Sequence, residues 1–167
     1  MHPTSMIEMK KFVDKYMNSE KVLTILDVGS QDVQDFRFGT YRDLCKASTW
    51  KYTGIDIVPG KNVDLVVPLY TWPIETESVD IVLSGQCLEH VEDIFAMALE
   101  IGRVLKPGGY CCLIVPWSDS LHRHPIDCWR FMPDGMRFFL ENKAGLSVLE
   151  CYHNAPYLDC VGIATKK

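Results

Sequence analysis

The order of apolar and polar positions divides the chain into alternating helix-like and strand-like segments. Residues 5–17 set Met6, Met9, Phe12, Val13 and Tyr16 at helical spacing among Glu8, Lys10, Lys11 and Lys15, which predicts an amphipathic helix. Residues 22–28 follow as a short apolar run (Val22, Leu23, Ile25, Leu26, Val28), as expected of a strand buried on both faces. Residues 41–47 suit a helix and 52–58 a strand ending at Asp56, while 63–67 is a short apolar run before a loop shaped by Pro68 and Pro73. Residues 79–84 form a stronger buried strand. Val91, Ile94, Phe95, Ala98, Ile101, Val104 and Leu105 then keep a helical period over 89–106, stopped by Pro107-Gly108-Gly109. Residues 110–115 are a further strand, 133–142 a helix, and 146–152 and 159–165 a closing pair of strands. Alternation of this kind predicts an α/β fold, a three-layer Rossmann-like sheet, mostly parallel. The short turn between the last two strands predicts antiparallel pairing at its C-terminal edge.

Composition narrows the class. At 167 residues the chain is most simply one domain, residues 1–167, with enough length to bury a core. A net charge of −5 argues against a surface that tracks nucleic-acid phosphates. No apolar stretch approaches the ~20 residues of a membrane helix, and residues 1–12 lack a signal-peptide core. A cytoplasmic protein is expected. Its seven cysteines include no CxxC pair and read as small apolar residues in a reducing compartment. The apolar content leaves room for a homo-oligomer, but no stretch marks the surface.

Two carboxylates stand where chemistry is expected. Asp27 and Gly29 close the first strand, and a glycine there permits a tight turn and close approach of a ligand to the backbone. Asp56 ends the second strand, the place in a βαβ unit for an acid that accepts hydrogen bonds from a ribose diol. An ordinary strand-end carboxylate is the competing reading.

The series ILDVGS, YTGIDI, VDIVLSGQCLEHV and EIGRVLKPGGY resembles the class I S-adenosylmethionine-dependent methyltransferases over nearly the whole chain. FGTYRDL with HRHPIDCWRFMPDGM is similar to a compact type 11-like subgroup associated with glycan or natural-product pathways. The resemblance implies methyl transfer from S-adenosylmethionine to a small-molecule or glycan acceptor, through an oxygen, with nitrogen the next choice. It places Asp27, Gly29 and Ser30 at the methionine portion of the cofactor, Asp56 at the ribose, and Ile57, Asp64 and Leu65 around adenine. Ser84 and Gln86 face the methyl-donor end. The chain departs from the family's glycine-rich loop, having Gln31 and Val33 where further glycines stand. Gln31 and Tyr41, near Gly39 and Arg42, are therefore expected to hold the methionine end.

A hydroxyl acceptor gains from a base, and histidine suits that work. His2 is terminal and His153 falls in a late strand or turn. His90, after Glu89, reads as a base or substrate contact, or as a residue that fixes its loop. In the loop after residue 115, His124 with Asp127 forms an expected base pair, and His122, Trp129 and Arg130 are expected to wall or anchor the acceptor. Alternatively, Trp129 and Phe131 pack the loop and Arg130 pairs with a carboxylate. His122 and His124 with Asp127 would also suit a metal, but a third strong ligand is missing at a familiar spacing, so none is expected. A nicotinamide oxidoreductase is disfavoured by the missing GxGxxG. A non-catalytic cofactor-binding module or partner subunit is the other alternative.

Overall fold

The computed structural model describes residues 3–33, 39–154 and 158–167. His2, and Phe38 at the head of FGTYRDL, lie outside the described residues. The first helix, α1, spans Pro3–Tyr16, with proline in the first turn, where a missing amide costs nothing. It buries Met9, Phe12 and Val13 and leaves Lys10, Lys11 and Lys15 exposed. Then come β1 (Leu23–Val28), α2 (Tyr41–Leu44), β2 (Trp50–Asp56), β3 (Leu65–Val66) and β4 (Val79–Gly85). The C-terminal part supplies α3 (Ile94–Val104), β5 (Leu105–Pro116), α4 (Pro133–Phe138), β6 (Ser147–His153) and β7 (Asp159–Thr165).

The seven strands form one sheet in the order β3-β2-β1-β4-β5-β7-β6. β1 to β5 run parallel, and β7 is antiparallel to both its neighbours, β5 and β6. The last two strands do pair antiparallel at one end of the sheet, but β7 inserts inside β6. Alternate residues feed two cores. Ile25, Ile81, Leu83, Cys112 and Ile114 pack with Met9, Phe12 and Tyr41 on one face. Leu26, Val82, Cys111 and Leu113 pack with Met97, Ile101, Met136 and Leu140 on the other. This is period-two alternation serving two buried faces, the signature of a three-layer sheet.

Element limits differ from expectation for local reasons. The helix expected from residue 89 begins at Ile94, because the Asp93 side chain caps it by accepting from the Ala96 amide at 3.0 Å. Residues Leu88–His90 form a separate 3₁₀ turn. The helix ends at Val104, and Leu105 already pairs with Val79, so Lys106-Pro107-Gly108-Gly109 belongs to an irregular start of β5. α2 is a single turn.

Candidate active site

Strand order reverses its direction of growth between β1 and β4, and the crevice beyond their carboxyl ends is where open α/β sheets take ligands. A cavity of about 730 Å³ lies there. Gly29 turns the chain out of β1 with φ +73°, and a Cβ on it would stand 2.3 Å from Cys87 Sγ. The amides of Gly29 and Ser30 both donate to the Ile55 carbonyl, at 3.0 Å each, which fastens the end of β1 to β2. The Asp56 carboxylate lines the cavity and accepts from two backbone amides, Gln31 at 3.0 Å and Ile57 at 2.7 Å. Each carboxylate oxygen keeps a further lone pair for a ligand. Val33, Ile57 and Val58 provide an apolar rim, and Val67, Leu69, Trp72 and Met97 an apolar floor.

The opposite wall comes from the 3₁₀ turn and the loop after β5. This loop is sewn onto the turn: the Cys128 amide donates to the Glu89 carbonyl at 2.7 Å, and the Trp129 indole to the Val91 carbonyl at 2.7 Å. Glu89, His90, His122 and His124 thereby share the cavity. His90 packs edge-on against both His122 and His124, with ring centroids 5.2 and 5.7 Å apart. Burial pushes the Glu89 carboxyl up to about 7, against the pull of His122 and Arg130. Burial also lowers His90, favouring its neutral form.

Comparisons with known proteins bear on this arrangement. The family model of a methyltransferase domain matches residues 37–113. An uncharacterized methyltransferase of Schizosaccharomyces pombe is 31% identical over 105 residues, which span 59% of this chain and 39% of that protein. The matched region is thus about two fifths of the yeast protein's length. A SAM-dependent methyltransferase from Aquifex aeolicus superimposes with a TM-score of 0.71 at 18% identity, covering 100% of both chains. The Burkholderia thailandensis 1,6-didemethyltoxoflavin-N1-methyltransferase, solved with bound 1,6-didemethyltoxoflavin and S-adenosylhomocysteine, gives a TM-score of 0.75 at 16% identity, over 99% of this chain and 79% of that one.

The fold is that of a class I S-adenosylmethionine-dependent methyltransferase.

Within this methyltransferase fold, Gly29, Gln31, Asp56, Ile57, Gln86, His90, His122 and His124 line the cavity. The other expected site residues do not line it. Asp27 is buried and accepts a hydrogen bond from the Tyr52 hydroxyl. Burial pushes its carboxyl up to about 7, opposed by that bond. Ser30 and Ser84 donate to the carbonyls of Asn62 and Val28. Tyr41, expected at the methionine end, turns inward: its ring fills the space over Gly85 and its hydroxyl meets Ser5. Asp64 accepts from the Gly54 amide at 2.7 Å and pairs with Arg42, while Leu65 lies on the exposed edge strand.

In the loop, Asp127 pairs with Arg130, not with His124 as expected, because the guanidinium meets both carboxylate oxygens and the His122 amide takes up one of them. Arg130 also donates to the carbonyls of Asp119 and Ser120, so it braces the loop from behind. Glu89 was not among the expected site residues. Only a sheet-end cavity with an acid buried beneath histidines makes it conspicuous. Among the cysteines, Cys45, Cys111, Cys112 and Cys160 are buried, whereas Cys87 lines the cavity and Cys128 is exposed. No helix among the described residues is long and apolar enough to cross a membrane.

The residues present fit S-adenosylmethionine. The cavity has the size of a small-molecule site, an acid with spare acceptor capacity stands at the end of β2, an apolar rim adjoins it, and a Cβ on Gly29 would intrude at the turn.

Proposed function

We propose that residues 1–167 act as one domain that transfers a methyl group from S-adenosylmethionine to a hydroxyl of a small-molecule or glycan acceptor. The observation that carries the proposal is the Asp56 carboxylate, held by two amides at the switch-point cavity with capacity left for a diol. When bound, the cofactor supplies a methyl group already activated on a sulfonium. Asp56 would hold the ribose hydroxyls, Ile57 with Val33 and Val58 the adenine face, and Gln31 and Gln86 the end nearer the acceptor. The chain's own task is then to align the acceptor oxygen for in-line displacement.

The three histidines form the wall against which the acceptor lies. His124 is the exposed imidazole of this group and takes the hydroxyl proton on a ring nitrogen. Asp127 and Arg130 position the loop that carries it. The unpaired cysteines suit a cytoplasmic protein.

Calorimetric titration with S-adenosylmethionine and S-adenosylhomocysteine tests the reading. The wild type is expected to bind both, and Asp56→Ala to bind at least tenfold more weakly, as loss of a charge-assisted hydrogen bond of about 1.5–3 kcal/mol requires. A folded wild type that binds neither overturns it.

A further inference from the structure

Glu89 is fully buried, and among the described residues neither of its carboxylate oxygens has a hydrogen-bond partner. Two imidazole nitrogens flank it, both aimed at the same oxygen. His90 Nε2 lies 3.6 Å from Glu89 Oε1, and His122 Nε2 lies 3.7 Å from it. Each imidazole is oriented through its other nitrogen. His90 Nδ1 sits 2.6 Å from the Ile126 carbonyl oxygen, and His122 Nδ1 sits 2.8 Å from that of Ser120. A carbonyl oxygen only accepts, so both Nδ1 atoms carry the hydrogen, and in the neutral rings both Nε2 atoms present lone pairs. Three potential ligand atoms therefore converge on one corner at separations too long for hydrogen bonds between them.

A cation resolves this arrangement. One ligand atom from each residue lies within 4.8 Å of the others. Separations of 3.6 and 3.7 Å are of the size that one ion bridges with bonds of about 2.0–2.2 Å. Backbone carbonyls on the remote ring nitrogens are the usual means of turning metal-binding histidines toward an ion. Two imidazoles with one carboxylate favour a transition metal over magnesium or calcium, which prefer all-oxygen shells.

We propose that Glu89, His90 and His122 together bind one divalent transition-metal ion of the zinc class. All three line the cavity, so the ion's open side faces the ligand space. An acceptor oxygen there would complete the coordination, a consequence that rests on the methyl-transfer reading, whereas the ligand set does not. The ligands come from a 3₁₀ turn and from a loop some thirty residues later, brought together by the Cys128–Glu89 and His90–Ile126 hydrogen bonds.

The test uses the full chain stripped of metal and then dialysed against zinc, with bound metal measured by mass spectrometry. Cobalt substitution reports the ligand type. One equivalent per chain is expected, with affinity falling at least tenfold in Glu89→Gln and in His122→Ala, and with no thiolate-to-cobalt charge-transfer band. His122 is partly exposed, so His122→Ala keeps the test decisive if Glu89→Gln fails to fold. Absence of binding, equal binding by wild type and variants, or a thiolate band each overturns the proposal. Zinc binding by a protein that ignores S-adenosylmethionine would sustain this site while overturning the proposed function.

Discussion

Arg130 grips Asp127 with two nitrogens, Nη1 to Oδ1 at 2.6 Å and Nη2 to Oδ2 at 2.9 Å. The His122 amide adds a third donor at 2.8 Å, and Arg130, foremost, holds the carboxyl well below the usual carboxylate range. This pair fixes the loop that carries His122 and His124 into the cavity. Asp127→Asn gives the guanidinium a single oxygen and faces it with an amide donor. The expected cost is about 1.5–3 kcal/mol, a melting temperature lower by several degrees. The loop should become more sensitive to protease. Because the pair acts through positioning, the acceptor KM should rise more than the Kd for S-adenosylmethionine. Equal effects on both would assign it a purely structural role.

Gly29 faces Cys87 across the start of the cavity, and its φ of +73° is unfavourable to any side chain. Gly29→Ala should cost about 1–2 kcal/mol through the backbone alone, and about 1–3 kcal/mol more through overpacking on Cys87. Both Sγ and Cβ of Cys87 lie in the way, so Cys87→Gly is the relieving partner. Urea unfolding of the two single variants and the double should show a favourable coupling energy. Additive costs would mean that the clash is absorbed elsewhere.

These two relationships differ in how visible they are from sequence. The Gly29 turn follows from an apolar run broken by a glycine, and Asp56 from the next run, because each signal lies within one element. The Glu89 environment leaves no such trace. It is made by the loop folding back so that the amides of Cys128 and Trp129 meet the Glu89 carbonyl, contacts without periodicity. Tyr41 shows the converse failure. Its neighbourhood pointed to the cofactor, yet the missing side chain of Gly85 opens a place for its ring, where a Cβ would stand 1.8 Å from the hydroxyl. That vacancy is a fact of packing between distant segments. The closing strand pair was likewise legible as a pair, whereas the insertion of β7 inside β6 depends on which of them matches β5.

His124 is the proposed base, and its removal should act on chemistry rather than on cofactor binding. His124→Ala is expected to lower kcat by about 10²-fold or more with a hydroxyl acceptor, in the range of general-base contributions. The Kd for S-adenosylmethionine should stay within a factor of two to three, roughly RT in free energy. An unchanged kcat would remove His124 from the mechanism.

Asp27 makes stability depend on pH in an unusual direction. Burial pushes its carboxyl up to about 7, and the Tyr52 hydroxyl donates to it. In the unfolded chain an aspartate titrates near 4. Below about pH 4 both states hold the proton, and the folded form has its full advantage. Between about 4 and 7 the unfolded chain releases the proton while the folded protein retains it, so unfolding is increasingly favoured as pH rises. Each unit of separation is worth about 1.4 kcal/mol, so the loss is of the order of a few kcal/mol by neutral pH. Above about 7 both states are ionised and the effect levels off. Asp27→Asn keeps an oxygen for Tyr52 but cannot titrate. Thermal unfolding at pH 5 and pH 7.5 should therefore show a smaller decline with rising pH in Asp27→Asn than in the wild type. An equal decline in the two proteins would mean that Asp27 is ionised in the folded state throughout this range, stabilised there by Tyr52 and the nearby Arg42.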